Sequence, residues 1–538
     1  MGKLRLKDLA AIPPLTISPK ASLKEAKRLF SLSGVQALIG EEGRRFCGLL
    51  ERLVLDKALA FGLAETVVEL LDPEAPVLKA ESEANPETLA KALLSPSSLA
   101  VLEENGRIIG SLSIKNWLWS GLIPPAPLKI ALNDFSEEIR TILFAAQKVA
   151  EGLNTAVFLV GGAVRDQLLK RSVFDLDLVV CEQAEALAQE LAKALSGRLM
   201  ARSLFGTYKV ALPKGQVIDV AQSRWEYYET PAALPKVSPG PLWQDLFRRD
   251  FTINAMALVL NGPLAGTVVD FFGGLQDLEA KRLRVHHVMS LVDDPTRIFR
   301  AARYLTRFDL TPGKTFFVSL SLVHRYQVLK ELSPARVQRE FERILDEPGP
   351  EKVLSFLFDL GVFDDLLGVE TKSVRDEIKA LFTLIQGLSL TKRDLVEALA
   401  LLFHRISPLW SRLLDLPKPR AETLERGLQD LETKVPFLLS GERLSRKVAL
   451  LEKAPLPVLL VLAVQFPLVK GLVRDYLERL KTVGPRLKGE DLLKVGLKPG
   501  PEIGRILRRL REAWLDGEIS SPEEEWALIK KEFPDVFS

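Results

Sequence analysis

Apolar and polar positions along the chain follow two different periods. In stretches such as TAVFLV, residues 155–160, apolar residues run together as they do in buried strands. After about residue 285 they recur at three- and four-residue spacing, with Pro/Gly breaks near 348, 417, 455, 485 and 499. The pattern therefore predicts a small α+β head followed by a long helical body.

The first 120 residues contain an internal duplication. Each copy has a Pro-containing turn, a helix, a short apolar strand, a charged turn and a second strand that is predicted to begin at Gly48 or Gly110. This pattern resembles a pair of CBS modules, regulatory repeats that often bind adenosine nucleotides. Such modules usually place an Asp six residues after the glycine to hold the ribose, whereas this chain has Val54 and Asn116. A structural or homodimerising role is therefore at least as well supported as binding of an adenine nucleotide.

Composition describes an ordered protein of several domains. Of the 538 residues, 47% are hydrophobic and 27% charged, and the two cysteines and four histidines are too scattered for a disulfide framework or a Cys/His zinc site. We expect a reducing, cytoplasmic setting. The longest apolar run, residues 454–469, contains three prolines and is shorter than the ~20 residues that a membrane span requires, so it predicts a buried helix and no membrane partner.

Positive charge is concentrated near the C-terminus. The net charge is only +3, but residues 481–511 carry nine Lys/Arg against three Asp/Glu. This excess is consistent with contact to phosphates or with a solvated helical face.

Residues 158–180, FLVGGAVRDQLLKRSVFDLDLVV, combine elements suited to phosphate chemistry. A strand enters Gly161 and Gly162, and a short helix follows with Arg165 in its first turn. Glycines between a strand and a helix let backbone N–H groups approach a phosphate.

The same stretch ends in a strand that carries two acids. Asp175 and Asp177 are two positions apart, so both are predicted to project from one face. Carboxylates held this close repel each other unless a cation lies between them, and oxygen ligands without His or Cys favour Mg²⁺. The alternative is an edge strand whose acidic face is only solvated.

A line of arginines occupies the predicted helix DPTRIFRAARYLTRF, residues 294–308. One side would hold arginines and the other apolar residues: Arg297, Arg300, Arg303 and Arg307 against Ile298, Ala301, Ala302 and Leu305. Such a line is costly unless it meets carboxylates or a polyphosphate, so it predicts either a salt-bridged surface helix or a phosphate site.

Residues 156 to about 345 resemble the head and neck of bacterial class II tRNA nucleotidyltransferases, the CCA-adding enzymes and their poly(A) polymerase relatives. The resemblance rests on four motifs in the family's order, namely GGAVRDQLLKRSVFDLDLVV, RRDFTINAMA, DFFGGLQDLEAKRLRV and DDPTRIFRAARYLTRF. It implies a multidomain α/β plus α protein. The expected parts are tandem CBS modules over 1–122, a polymerase-β-like α+β nucleotidyltransferase head over 130–284, a helical neck with the base-reading helix over 285–345, and a helical, tRNA-binding body and tail over 346–538.

The resemblance also implies residue roles. Asp175 and Asp177 would hold Mg²⁺, with Asp219 as a candidate third carboxylate. The triphosphate would meet Gly162, beside Gly161, and Arg165, and further nucleotide contacts would come from Arg249, Asp294, Arg297, Arg300 and Arg303. The family usually has Glu-Asp before the arginine helix, and this chain has Asp293-Asp294.

Asp294 and Arg297 offer a protein template for base choice. Cytosine and adenine each present an amino donor beside a ring-nitrogen acceptor, which a carboxylate and a guanidinium satisfy. Uracil and guanine present the reverse and would leave buried groups unpaired. The alternative role for this pair is a salt bridge within the helix.

The expected reaction is template-independent addition of C and/or A, from CTP and ATP, to the tRNA 3′ end with release of pyrophosphate. Addition of CCA, of CC only, of A only, or of poly(A) all remain open. The interval at 223–246 is not visibly truncated, which disfavours a CC-only enzyme, and an A-only enzyme is the second reading because CBS-fused relatives include A-adding enzymes. A non-catalytic adenylate sensor that binds RNA is the remaining alternative, and the intact acid pair argues against it.

Overall fold

The computed structural model describes residues 4–120, 122, 125–202 and 206–534. The chain divides into two compact units, Met1–Leu332 and Ser333–Ser538. The predicted neck, 285–345, spans this division, and the four-domain boundaries remain a prediction. The mixed α/β head and the large helical C-terminal part are both confirmed.

The N-terminal duplication is present in the backbone as two small α/β repeats. Each repeat has a three-stranded sheet in which a parallel pair is followed by an antiparallel pair. In both, the main helix is capped by the residue before it, because Ser22 and Asn85 accept the N–H of the third helical residue. The first repeat consists of α1 Leu6–Leu9, β1 Thr16–Ile17, α2 Leu23–Ser33, β2 Ala37–Glu42, β3 Arg45–Glu51 and α3 Arg52–Phe61. The second consists of a 3-10 turn Val67–Leu70, β4 Val77–Lys79, α4 Pro86–Leu93, β5 Leu99–Glu104, β6 Arg107–Ser113 and α5 Ile114–Trp119.

The head is built on a seven-stranded sheet. Its elements are α6 Glu137–Gly152, β7 Val157–Val160, α7 Gly162–Leu168, β8 Leu176–Val180, α8 Ala184–Ala194, β9 Arg198–Arg202, β10 Thr207–Ala211, β11 Val217–Gln222, β12 Arg224–Tyr227, β13 Lys236–Pro239, α9 Leu242–Phe247, β14 Met256–Val259, β15 Val268–Asp270, α10 Gly274–Glu279 and β16 Arg282–Leu283. The strand order is β15-β14-β7-β8-β11-β10-β9, and β8 and β11 are its parallel neighbours. The acid-bearing strand β8 is therefore central, which excludes the solvated edge strand.

Helices follow the head sheet. The first unit ends with α11 Ser290–Asp293, α12 Thr296–Phe308, β17 Thr311–Pro312 and α13 Lys314–Arg325. The apolar side predicted for α12 is confirmed, because Ile298, Ala301 and Ala302 are fully buried. The Ser319 hydroxyl on α13 accepts the N–H of Leu291 at 3.0 Å and so fixes α11 against α13.

The second unit is helical throughout its described part. Its helices are α14 Pro334–Leu345, α15 Pro350–Asp359, α16 Val362–Leu367, α17 Val374–Ile385, α18 Lys392–Leu402, α19 Trp410–Leu413, α20 Lys418–Thr433, α21 Val435–Leu439, α22 Leu444–Leu451, α23 Leu456–Gln465, α24 Lys470–Glu478, α25 Gly489–Lys494, α26 Pro501–Asp516 and α27 Pro522–Glu532. The buried helix predicted in the apolar run is α23, which packs against α17, α18 and α20. None of the helices in the described ranges is alone long and apolar enough to cross a membrane; only α22 and α23, bent by 118°, reach that length and hydropathy together.

One glutamate in the first repeat is held in its neutral form. Glu51 ends β3, and its Oε1 is buried with no hydrogen-bond partner in the described part of the chain. Burial, reinforced by the charge of Asp72, raises the pKa of this carboxyl to about 8.

We expect Glu51→Gln to remove part of the alkaline loss of stability. Folded Glu51 keeps its proton up to about pH 8, whereas the unfolded chain releases it near the ordinary value of 4.5. The contribution to the free energy of unfolding is thus complete below pH 4.5 and is lost as the pH rises to 8, by about 1–3 kcal/mol for this incompletely buried residue. Denaturant unfolding at pH 5.5 and 8.0 measures it, with exposed Glu87→Gln as control. Equal pH slopes in the Glu51→Gln variant and the wild type would contradict the assignment.

Candidate active site

Two of the three candidate carboxylates lie side by side on neighbouring strands. The parallel register of β8 and β11 pairs Asp177 with Asp219. Asp175 lies immediately before β8 and is exposed, whereas Asp177 is partly buried. Burial raises the pKa of the Asp177 carboxyl, Arg249 opposes this, and Asp219 and Asp175 raise it further. The negative charges therefore accumulate where a cation is most stabilising.

The donors at this position fit a hard divalent cation, since they are all carboxylate oxygens. In the described ranges, no group of three or more His, Cys, Asp or Glu side chains is arranged to enclose a metal on its own. The Asp219 carboxylate is held by Nζ of Lys209 at 2.8 and 3.0 Å. A cation held by Asp175 and Asp177 would therefore complete its coordination with phosphate oxygens and water.

The turn between β7 and α7 brings an arginine against the strand end. Gly161 has φ 71°, a conformation that side chains rarely adopt, and a Cβ at this position would lie 2.6 Å from Nη1 of Arg249. Gly162 begins α7, as the sequence predicted. The second glycine therefore opens the helix, while the first makes room for the guanidinium of Arg249.

Arg165 is buried at 4% exposure and is already well partnered. Its guanidinium donates from Nε to Asp166 at 2.9 Å and from Nη1 to Asn254, and lies 4.5 Å from the ring centre of Phe308. Arg165 thus ties α7 to the end of α12. Its predicted contact with a triphosphate stays a prediction.

Asp245 is a buried carboxylate beside the candidate site that the sequence reasoning missed. It is fully buried and accepts from both arginines of the RRD motif, from Arg248 at 2.7 Å and from Arg249 at 3.1 Å. The three- and four-residue spacing of DLFRR was the signal that would have found it. Nε of Arg249 is buried and has no partner in the described residues, so one donor remains for a ligand beside Asp177.

Asp294 and Arg297 meet at the start of α12. Arg297 is 5% exposed and donates to the Ser290 hydroxyl at 2.6 Å and to the backbone oxygen of Arg248 at 2.8 Å. Burial opposes its charge, but Tyr228 and Asp294 outweigh this and raise the pKa of the guanidinium. Asp294 Oδ1 accepts the N–H and hydroxyl of Thr296 at 3.0 and 2.6 Å. Both side chains are thus held in fixed positions.

The arginine line on α12 is divided between two environments. Arg297 is buried, whereas Arg300, Arg303 and Arg307 are partly exposed. Arg300 donates to Asp250 of the RRD motif at 2.7 Å. Burial acts to raise the pKa of Asp250, but Arg300 and Asn254 lower it to about 2. The expectation that this line meets a carboxylate is therefore confirmed at Arg300.

The basic stretch of the second unit is partly neutralised from within. Four of its nine basic residues form ion pairs. The pairs are Arg509 with Glu532 and Glu518, Arg511 with Glu452, Arg505 with Glu502, and Lys494 with Asp491. Five basic residues of 481–511 have no ion-pair partner in the described ranges: Lys481, Arg486, Lys488, Lys498 and Arg508. These five are the candidates for contact with nucleic-acid phosphates.

Comparison with known proteins gives the family. A model described as the poly A polymerase head domain matches residues 157–284. An A-adding tRNA nucleotidyltransferase from Halalkalibacterium halodurans is 30% identical over 72% of this chain and 91% of its own length. The Thermotoga maritima CCA-adding enzyme complexed with tRNA is 28% identical, with a TM-score of 0.60 over 74% of this chain and 97% of that one.

Two other relatives are matched along nearly the whole chain. A-adding tRNA nucleotidyltransferases from Geobacter sulfurreducens and Aquifex aeolicus are 28% and 30% identical over 97% and 95% of this chain. This chain spans only 64% and 63% of their lengths. Together with the arrangement of acids, glycine turn and buried arginines, these similarities establish that the chain belongs to the tRNA nucleotidyltransferase family.

Proposed function

We propose that the protein adds C and/or A nucleotides to the 3′ end of tRNA, using CTP and ATP. The observation that carries this proposal is the pairing of Asp177 with Asp219 on parallel strands, beside Gly161 and the unpartnered Nε of Arg249. Carboxylates that lie next to hydrogen-bond donors for phosphate oxygens are suited to the transfer of a nucleotidyl group. Relatives named as A-adding and CCA-adding enzymes support the choice of tRNA as acceptor.

The proposed reaction is attack by the tRNA 3′-hydroxyl on the α-phosphate, with pyrophosphate leaving. Mg²⁺ held by Asp175 and Asp177 would activate the hydroxyl and neutralise charge on the phosphates. Arg249 would donate to phosphate oxygens through the nitrogen that has no protein partner. The protein would otherwise act by position and electrostatics, without a covalent intermediate.

Base choice would rest on Asp294 and Arg297. The Asp294 carboxylate would accept from the amino group of cytosine or adenine, and Arg297 would donate to the ring nitrogen. Arg297 is anchored at two points, on Ser290 and on the backbone of Arg248, which supports a rigid reader. Uracil and guanine would each leave an acceptor facing an acceptor and a donor facing a donor.

An extension assay distinguishes the forms of this function. We expect purified protein with Mg²⁺ to lengthen at least a tRNA transcript ending in CC, with ATP. Growth also from transcripts lacking CCA or ending in C, with CTP, identifies a CCA-adding enzyme, and growth only from the CC end identifies an A-adding enzyme. Long tails on unrelated RNA identify a poly(A) polymerase. Failure of every transcript with every nucleotide contradicts the proposed function.

We propose that the two N-terminal repeats are CBS modules with a mainly structural role. Their matching strand orders support the module, but the ribose-holding positions do not favour an adenine nucleotide. Val54 is buried, and Asn116 Oδ1 accepts the N–H and hydroxyl of Ser113, the N-cap residue of α5, and so completes a capping box there. Homodimerisation through these repeats stays a prediction.

A further inference from the structure

The N-terminal repeats pack directly on helix α13 within the first unit. Arg325, near the end of α13, pairs with Glu69 at 2.6 Å. Thr315, at its start, donates its N–H to Glu74 at 3.0 Å and its hydroxyl to Asp72. Thr315 is 1% exposed, so this end of the contact is shielded from solvent. The repeats therefore hold both ends of the helix against which α11 is fixed.

A second contact reaches α11 itself. Lys57, on α3 of the first repeat, pairs through Nζ with Asp293 Oδ2 at the end of α11. The two side chains are 11% and 2% exposed. Burial, together with Lys57 and Arg297, lowers the pKa of the neighbouring His287 well below its usual value, so its ring is neutral. Lys57 thus forms an ion pair with the buried Asp293, whose charge also interacts with the nearby guanidinium of Arg297.

Asp293 is linked to the base-reading pair at both of its members. Asp294 follows it in the chain, and Ser290, on the same short helix α11, receives the guanidinium of Arg297 at 2.6 Å. A displacement of α11 would therefore move the Asp294 carboxylate and the anchor of Arg297 together.

Lys57 approaches the same pair by a second route. Its Nζ lies 5.9 Å from the ring centre of Tyr228. The Tyr228 hydroxyl donates to Glu226 at 3.4 Å, and Glu226 accepts from Arg248 at 3.0 Å. The backbone oxygen of Arg248 is the second anchor of Arg297. Both sides of Arg297 are thus connected to one lysine of the N-terminal repeat.

We propose that Lys57 is a positioning residue for nucleotide selection. Through the contact between Lys57 and Asp293, the N-terminal repeats set the affinity for the incoming nucleotide. The inference rests on the proposed function, since it assigns a determinant of the same nucleotide site. The N-terminal repeats would then contribute to nucleotide selection without binding a ligand themselves.

Steady-state extension of a CC-ended tRNA by full-length Lys57→Met tests this role. We expect the KM for ATP to rise about tenfold, a size typical of energetically coupled sites, with the KM for tRNA nearly unchanged. Misincorporation of GTP should rise with it, because the base-reading pair loses its fixed position. Lys57→Arg keeps the charge and should restore most of the affinity.

The matched control is Lys20→Met. Lys20 lies in the same repeat and pairs with Glu42 at 2.8 Å, but the two side chains are 83% and 59% exposed. We expect this variant to behave as wild type, because exposed ion pairs contribute little. An unchanged KM for ATP in Lys57→Met, or a fall in kcat alone that follows the folded fraction, would overturn the inference.

A pair of variants decides the matter if Lys57→Met folds poorly. In Asp293→Asn, position 293 no longer carries a charge for Lys57 to balance. The double variant Asp293→Asn with Lys57→Met should therefore have nearly the same KM for ATP as Asp293→Asn alone. Independent, multiplying effects in the double variant would overturn the inference. If the wild-type protein extends no tRNA, the proposed function itself is contradicted. If the wild type extends tRNA and Lys57→Met has the same KM for ATP, only the role of Lys57 is contradicted.

Discussion

Asp175→Asn combined with Asp177→Asn is expected to lower nucleotide addition by at least about 10³-fold, because the variant loses the ligands that neutralise several kcal/mol of developing charge. Single-turnover extension of a CC-ended tRNA measures this loss. Binding of tRNA, measured separately, should remain close to wild type. The control is Asp376→Asn, whose side chain is 90% exposed on α17 and should leave the rate unchanged.

The stability of the same double variant separates a catalytic from a structural role. In the wild type, burial and the neighbouring acids oppose ionisation of Asp177. Removing these charges should therefore leave the melting temperature unchanged or raise it. Substantial residual turnover would refute the metal-ligand assignment. A drop in melting temperature that parallels the drop in rate would instead indicate that the acids stabilise the fold.

Asp294→Asn should weaken discrimination among the four nucleotides. An amide at this position can turn its donor toward a carbonyl, so the carbonyl oxygen of uracil or guanine no longer faces an acceptor. With roughly 1–3 kcal/mol for each unsatisfied group, we expect selectivity for ATP over GTP to fall about 10- to 100-fold. Ratios of kcat/KM for the four nucleotides measure it, with Asp376→Asn again as control. A uniform loss with unchanged ratios would contradict a role for Asp294 in base reading.

Local sequence patterns were sufficient for some elements of the head and for one helix that follows it. The change from a strand to Gly161 and a short helix predicted β7 and α7, and the apolar side of α12 followed from its period. The placement of the acids was less complete. Asp175 lies just before β8, and the partner of Asp177 depends on a register between strands some forty residues apart that no spacing encodes.

The helical period of α12 could not predict which of its arginines are buried and which are exposed. Periodicity placed four arginines on one side of the helix, yet Arg297 is enclosed while Arg300 remains partly exposed beside Asp250. The difference arises from elements distant in sequence, since Arg248 and Ser290 supply the acceptors for Arg297. Lys57 and Asp293 are 236 positions apart, so only the folded chain reveals that they form a pair.

The pairing of Lys57 with Asp293 has a consequence for how domains of such proteins can be exchanged. A head separated from residues 4–120 would retain the Asp293 carboxylate, which is 2% exposed in the intact unit, and this carboxylate would have lost its ion-pair partner Lys57. A foreign N-terminal domain would have to supply a cation at the same point, or the head would need an uncharged side chain at position 293. The two regions are thus constrained to change together, and a boundary drawn between residues 122 and 130 does not mark independent parts.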